Sequence, residues 1–433
     1  MTPTLVLDVV GLTPSLLAHA PHLAALARTG AMRPLQTVLP AVTTTVQSTL
    51  LTGLPPAGHG IVGNGWYFRD LSEVWLWRQS NRLVGGDKIW DAARRRDPTF
   101  SCAQLFWWYN MYADVDVAVT PRPMYLADGR KLPDIHTHPA ELRDRLQQRL
   151  GTFPLFRFWG PAADIVASRW IADCALQVFA EQRPTLTLVY LPHLDYDLQR
   201  LGPNHPGIPA QVAAVDALCA PLIDAARRAG AHVVALSEYG ITEVSRPVHV
   251  NRALREAGWL KVRVERGREQ LDAGASDAFA VADHQIAHVY VRQPELIAPV
   301  ARMLATLPGV EAVLDEAGKY AAGLAHERAG ELVAVSSADW RCLTIHEAPL
   351  NKDCEKSPAP LEDCESAISA EPEGWKQDDF DDSGWTAATV FTAAEVSPKE
   401  GYNDVAWDPS ASLIWGGDLE THNTILCRVW VNE

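Results

Sequence analysis

The feature that most constrains this chain is a set of short, continuous apolar runs, each followed by a helical pattern. Thr4–Val10, Leu186–Leu191 and Val233–Leu236 are uninterrupted by charge except at Asp8. Strands buried on both faces read as continuous rather than alternating apolar runs, and they belong to parallel sheets covered by helices on each side. The intervening segments fit. His22–Arg28 carries Leu23 and Leu26 at helical spacing and closes on Gly30, expected as the C′ residue. Val212–Arg228 sets Val215, Leu218, Leu222 and Ile223 on one helical face. Ala287–Val291 reads as a further strand, and Ile297–Leu307 as a helix stopped by Pro308. The expected class is α/β, a sandwich around a mostly parallel sheet.

Residues 65–160 break this rhythm. They are rich in Trp, Tyr and Pro and contain the run Phe106, Trp107, Trp108, Tyr109, Asn110, Met111, Tyr112. The stretch reads as an inserted cap over the carboxyl end of the sheet, where open α/β folds place ligands. Its aromatics either build a small core or, at Trp107, Trp108 and Tyr109, stack on a substrate.

Charge and cysteine both mark a second region. Of a formal net charge of -15, the residues from Cys342 onward hold 19 Asp and Glu against 5 Lys and Arg, while residues 1–341 are nearly neutral. A near-neutral body lacks the basic footprint that a nucleic-acid polymer requires. No apolar run reaches the roughly 20 residues of a membrane span, and Met1–Leu12 lacks the basic start of a leader, so the expected compartment is cytoplasmic. Cys102, Cys174 and Cys219 stand alone as small hydrophobes, whereas Cys342, Cys354, Cys364 and Cys427 form an even set suited to disulfides in an exported protein. Residues 342–373 read as an acidic linker. Residues 374–433, with Trp375, Phe380, Trp385, Trp407, Trp415 and Trp430 among turn formers, read as a small β-sandwich.

Chemistry collects at four strand ends. Asp8 closes the first run. Thr43, Thr44 and Thr45 lead into a helix that ends at Gly53, where a hydroxyl at the N-terminus meets free N–H groups and a positive dipole; a simple N-cap is the bland alternative. Asp195 and Asp197 follow the Leu186–Leu191 run, and Glu238 follows Val233–Leu236. Carboxylates at neighbouring parallel strand ends converge on one crevice and suit a hard divalent cation.

Segment 34–64 resembles the nucleotide pyrophosphatase/phosphodiesterase branch of the alkaline phosphatase superfamily, in its threonine-bearing stretch, Thr52–Gly53, and His59-Gly60-Ile61 followed by Asn64. The likeness spans about residues 4–340. It implies an alkaline-phosphatase-like three-layer sandwich, with Thr43 as nucleophile and Asn64 holding a phosphoryl oxygen. It further implies hydrolysis of a small phosphodiester, pyrophosphate or nucleotide. The family's metal positions map to Asp195 and Glu238. Its strand-one Asp, which directly precedes Gly, falls on Val10, with Asp8 two residues earlier on the same face as the candidate ligand. Its histidines fall on Gln199 and Tyr239. The oxygen-rich remainder suits Mg, Mn or Ca better than Zn. Asp197, Asp283, His284 and His288 are candidate substitutes, with the alternative that Asp283, His284 and His288 are part of a strand and its lead-in, and Tyr239 joins the substrate contacts. His136 and His138 form a His-x-His read as surface loop, the acidic run 378–382 as a solvated turn, and His59 and His249 as structural. The missing imidazoles leave a second reading, a catalytically silent relative that binds a phospho-ligand or a partner. The tail resembles galactose-binding-like modules, which implies at most weak carbohydrate binding.

Overall fold

The computed structural model describes residues 1–433 except 243, 245–246, 337–340, 352–353, 378–379, 381, 383, 392–412 and 429–433. The chain divides into two units, residues 1–241 with 245–337, and residues 242–244 with 338–433.

In the first unit the elements that position the site are β1 (Thr4–Val9), α1 (Pro21–Thr29), α2 (Thr43–Thr52), β2 (Cys102–Leu105), β3 (Val117–Pro121), β4 (Ile135–His138), α3 (Ile165–Gln182), β5 (Leu186–Leu191), α4 (His193–Leu201), α5 (Ile208–Arg228), β6 (His232–Leu236), β7 (Ala278–Asp283), β8 (Ile286–Val291), α6 (Pro294–Ala305), β9 (Val310–Leu314) and β10 (Leu332–Ser336). The main sheet runs β6-β1-β5-β2-β3-β4, parallel throughout except for β4. A second, antiparallel sheet runs β7-β8-β10-β9.

Alternation along β1 builds the layers. Leu5, Leu7 and Val9 enter one core, shared with α1, α3 and α5. Val6 turns to the opposite face, into a core with Leu51 of α2 and Trp90. Asp8 shares that second face by the same period of two. Helices therefore cover both faces, and the body is the α/β sandwich the apolar runs imply. Asp216 of α5 accepts the N–H groups of His22 and Leu23, which satisfies donors that the first turn of α1 leaves unpaired.

Several sequence expectations are corrected. Residues 65–160 are not simply a cap, because β2, β3 and β4 come from this stretch and make half of the main sheet. Aromatic density masked the short strand Cys102–Leu105, which is completely buried. His136 and His138 lie on β4, paired to β3, rather than on a loop. The Val233–Leu236 run lies on an edge strand with Val234 exposed, not in the sheet interior. Gly30 closes α1 at negative φ and is no left-handed cap. One helix among the described residues, α5, is long and apolar enough to cross a membrane. Its stripe Val212, Val215, Cys219, Leu222 and Ile223 is nonetheless buried in the core shared with β1.

In the second unit, Arg341–Glu347 is a strand paired with His422–Arg428, Ala367–Ile368 and Thr386–Ala387. The stretch expected as a linker thus opens with the strand that organises this sheet. Cys342 pairs with Cys427 and Cys354 with Cys364. Most of the acidic run 378–382, together with Trp407 and Trp430, lies outside the described residues, and the sandwich expected over 374–433 does so in part.

Candidate active site

Register brings the site together. Asp8 stands level with Tyr190 of β5 and Leu236 of β6, so the residues that follow those strands emerge beside it. Gly11 takes the turn after β1 at φ +84, and a Cβ there would lie 2.7 Å from Leu198 Cδ1, so no side chain fits.

Thr43 is the first residue of α2, and Val42 is the N-cap. No side chain caps this helix, so Thr43 is not spent as a cap and its hydroxyl is available for chemistry. The three threonines divide the work. Thr43 Oγ1 lies 3.2 Å from the Tyr239 hydroxyl, whereas Thr44 donates its hydroxyl to the Gly63 carbonyl at 2.9 Å. The Thr45 hydroxyl is buried without a hydrogen-bond partner.

Asp8 and Glu238 face each other on one side of Thr43, 0% and 2% exposed. Gln47, one helical turn after Thr43, donates through Nε2 to Asp8 Oδ2 at 3.2 Å and to Glu238 Oε1 at 2.6 Å. Its orientation is fixed, because Oε1 accepts the Trp108 main-chain N–H at 2.7 Å. Burial pushes the Asp8 carboxyl up to about 7, opposed by its hydrogen bonds to Glu238 and Gln47. Burial, then the charge of Asp8, holds Glu238 well above the usual range. Two dry carboxylates at one point cannot both be ionised without a positive charge or a shared proton. Asp8 Oδ1 and Glu238 Oε2 are buried without a hydrogen-bond partner.

The other side of Thr43 is different. Tyr239 donates its hydroxyl to Asp195 Oδ1 at 3.2 Å, and Gln199 donates to Asp195 Oδ2 at 2.9 Å from one turn further along α4. Burial raises the Asp195 carboxyl, while Gln199, the nearby His284 and Tyr239 oppose the shift. Asp197 points elsewhere and pairs with Arg200 and His193, so it does not join the site.

Asn64 accepts the Thr44 N–H on Oδ1 at 3.2 Å. Asp283 takes the Asn64 N–H and Nδ2 at 2.6 and 3.1 Å, which spends both of its oxygens on holding Asn64. It is a positioning residue rather than a metal ligand. His284 sits at the tip of the β7–β8 hairpin with φ +57, half exposed, 3.8 Å from Asp283 Oδ1. His288 is fully buried between the Val62 carbonyl and the Gly330 N–H, so it offers no substitute imidazole. His59 is spent likewise on Thr49 and the Ile61 N–H.

Trp107, Trp108 and Tyr109 do not form an open platform. All three are buried, Trp107 within the core beside Leu51 and Trp90. A ring buried on both faces has none left for a base. Their role is structural, since the turn they make aims the Trp108 N–H at Gln47. Two residues of the centre escaped the sequence reading. Gln47 carried one usable signal, its spacing of four from Thr43. Trp77, which donates its N–H to the Asn64 carbonyl at 2.8 Å and packs on Trp108 with ring centroids 5.0 Å apart, carried none.

The residues present offer oxygen donors of the kind a hard divalent cation takes. Asp8 and Glu238 supply two buried oxygens that lack partners, and Thr43 supplies a hydroxyl. The set lacks the nitrogen ligands that zinc favours. Among the described residues no three His, Cys, Asp or Glu side chains gather as a metal cluster.

Comparison with known proteins agrees with this architecture. The structure is similar to phosphonoacetate hydrolase from Sinorhizobium meliloti 1021 in complex with phosphonoformate, at TM-score 0.56 and 18% identity over 78% of this chain and 81% of that one. It is also similar to an inactive murine ectonucleotide pyrophosphatase/phosphodiesterase 5 in complex with AMP, at TM-score 0.53 and 16% identity over 78% and 79%. No curated protein matches in sequence. The family model for type I phosphodiesterase / nucleotide pyrophosphatase matches residues 4–358. With that match over most of its length, the chain belongs to the type I phosphodiesterase / nucleotide pyrophosphatase family, within the alkaline phosphatase superfamily.

Proposed function

We propose that the protein is a metal-dependent hydrolase of phosphodiester or pyrophosphate bonds in small, nucleotide-type substrates, with Thr43 as nucleophile. The observation that carries this reading is the placement of an uncapped hydroxyl at the start of α2, beside two buried carboxylates. Asp8, Glu238 and Thr43 would hold the cation, which when bound supplies the positive charge that favours an alkoxide at Thr43 and offsets the phosphoryl oxygens.

The chain's own groups account for the rest. Thr43 Oγ1 gives up its proton to water and attacks phosphorus. As the Oγ1–P bond forms, the bond from phosphorus to the leaving oxygen of the alcohol or phosphate breaks, and that oxygen takes a proton from water. Unpaired N–H groups of the first turn of α2 face the developing negative charge. Asn64 keeps one Nδ2 hydrogen beyond the bond to Asp283, and this hydrogen meets a phosphoryl oxygen. Tyr239 donates to Asp195, so its oxygen accepts from Thr43 and holds that hydroxyl in one rotamer. Water then attacks phosphorus, the Oγ1–P bond breaks, the phosphoryl product leaves with the water oxygen, and Thr43 Oγ1 regains a proton. The two disulfides favour an oxidising compartment over the cytoplasm.

The Thr43→Ala variant should lose at least about a thousandfold in turnover of bis(4-nitrophenyl) phosphate while keeping its unfolding midpoint. Retained turnover rejects the mechanism. Wild-type protein that neither hydrolyses the ester nor gains thermal stability on addition of magnesium or manganese would instead be the silent relative.

A further inference from the structure

Beyond the reacting centre, one strip of the surface carries positive charge that nothing in the fold uses. It begins at Trp77. This bulky residue is 39% exposed and held in the left-handed region at φ +55, a conformation that costs energy and persists only where the surroundings enforce it. Its N–H bond to the Asn64 carbonyl ties it to the site, and Arg78 is the next residue along the chain.

Gln79 then fixes the strip against the sheet edge. Its side chain donates to the Pro121 carbonyl at 2.6 Å, and its carbonyl accepts the Met111 N–H at 3.1 Å. These two bonds bring Arg78 beside Arg122 and bring residue 112 beside the end of β4. Pro121 ends β3 on the same carboxyl edge of the sheet as Asp8, and Thr120 pairs with His136. The Tyr112 ring meets His136 edge-on at 6.2 Å. The four side chains therefore share one margin of the crevice.

The electrostatics of that margin are unbalanced. Among the described residues neither Arg78 nor Arg122 has a carboxylate within ion-pair distance, and neither guanidinium makes a hydrogen bond. Of the two carboxylates nearby, Asp134 is paired elsewhere, and Glu73 acts on Arg78 only from beyond ion-pair distance. Glu73 accepts the Trp75 indole N–H at 2.6 Å, and Asp134 is bound by Arg143 and Gln147. Arg78 lies flat over Trp75, its charged carbon 3.0 Å from the ring centroid, so its fork is held rather than free to swing away. His136 Nδ1 is buried without a partner. Partial burial and then the charge of Arg122 depress Arg78 and His136 alike, as expected of like charges crowded together.

We propose that Arg78, Arg122 and His136 form a second anion subsite that binds a phosphoryl or carboxyl group of the substrate next to the phosphoryl attacked at Thr43. Planar guanidinium forks pair with such groups bidentately, and here Arg78 is the residue after Trp77, whose N–H meets the Asn64 carbonyl. The site therefore selects substrates with two anionic groups a few bonds apart over diesters flanked by neutral groups. This inference rests on the assignment of Thr43 and Asn64 as the phosphoryl site, and its test reads binding rather than turnover.

The test titrates full-length Thr43→Ala protein calorimetrically with methylenediphosphonate, phosphonoacetate and methylphosphonate in matched magnesium buffer. Both two-anion ligands should bind at least about tenfold more tightly than methylphosphonate. The ligand with the larger advantage shows whether phosphoryl or carboxyl is preferred. Adding R78Q and R122Q should erase that advantage and leave methylphosphonate affinity within about twofold. If the double substitution fails to fold, R122Q alone, at an exposed position, should remove at least about half of the advantage. Equal affinities for one-anion and two-anion ligands, no binding of either two-anion ligand, or an advantage that survives R78Q/R122Q would overturn the proposal. Turnover of bis(4-nitrophenyl) phosphate by the protein with both arginines intact tests the Thr43 assignment by itself, so failure of the hydrolase assignment is read separately.

Discussion

Thr43 stands between two acidic regions that the fold treats differently. On one side Asp8 and Glu238 share a dry point and a single amide donor, so a proton or a cation has to complete them. On the other side Asp195 is alone and takes two neutral donors, the Tyr239 phenol and the Gln199 amide. A lone carboxylate with two hydrogen bonds is largely satisfied by the protein itself. A facing pair is not, and a cation held as proposed would offset that repulsion. The asymmetry follows the sequence. Acidic side chains remain at Asp8 and Glu238, and side chains without charge stand at Gln199 and Tyr239.

The comparison breaks most readily at Gln47. Gln47→Leu removes the shared donor from both carboxylates and strands the Trp108 N–H. The metal-free protein should lose about 4 kcal/mol of stability, read from the urea midpoint, and regain part of it on adding magnesium. A neutral result would mean that the pair is not held by the amide.

A smaller effect tests the charge itself. The Asp8 carboxyl is raised in the folded state, so the folded protein binds its proton more tightly than the unfolded chain does. Its contribution is fully present below about pH 4 and is lost as the pH climbs to about 7. Chelator-treated Asp8→Asn should therefore be the more stable protein at pH 8, by on the order of 2 kcal/mol, with the difference fading towards pH 4. A gap that grows on acidification would contradict the facing-pair description.

The smallest effect belongs to the satisfied side. Tyr239→Phe unties Thr43 from Asp195 and should lower kcat about tenfold, with KM and stability changed little, by roughly 1 kcal/mol or less. If it matches Gln47→Leu in destabilisation, the two sides are not different in kind.

The parallel sheet, the threonine run ahead of α2 and the strand-end carboxylates were legible because each is a local pattern, whereas the preference for Thr43 within that run came from the family resemblance. A continuous apolar run, a hydroxyl ahead of a helix and an acid after a strand need no knowledge of distant chain. Half of the main sheet was not legible, since β2 is four residues long and sits beside a run of aromatics that also reads as a ligand platform. Asp283 looked like a ligand because carboxylate beside imidazole is a metal pattern. Its real partner, Asn64, lies 219 residues away, and no spacing rule reaches that far. The tail cysteines announced disulfides by number, while their pairing required the register of Cys342 opposite Cys427.

Phe106 and Tyr109 both adopt left-handed backbone conformations, and between them Trp108 offers its N–H to Gln47. An aromatic turn thereby sets which end of one amide faces the carboxylates. Substitutions at Phe106 or Tyr109, remote from any substrate, should surface as altered metal affinity rather than as altered substrate choice. A genetic screen that sorted variants by lost activity alone would file these hydrophobic positions among the ligands of the cation.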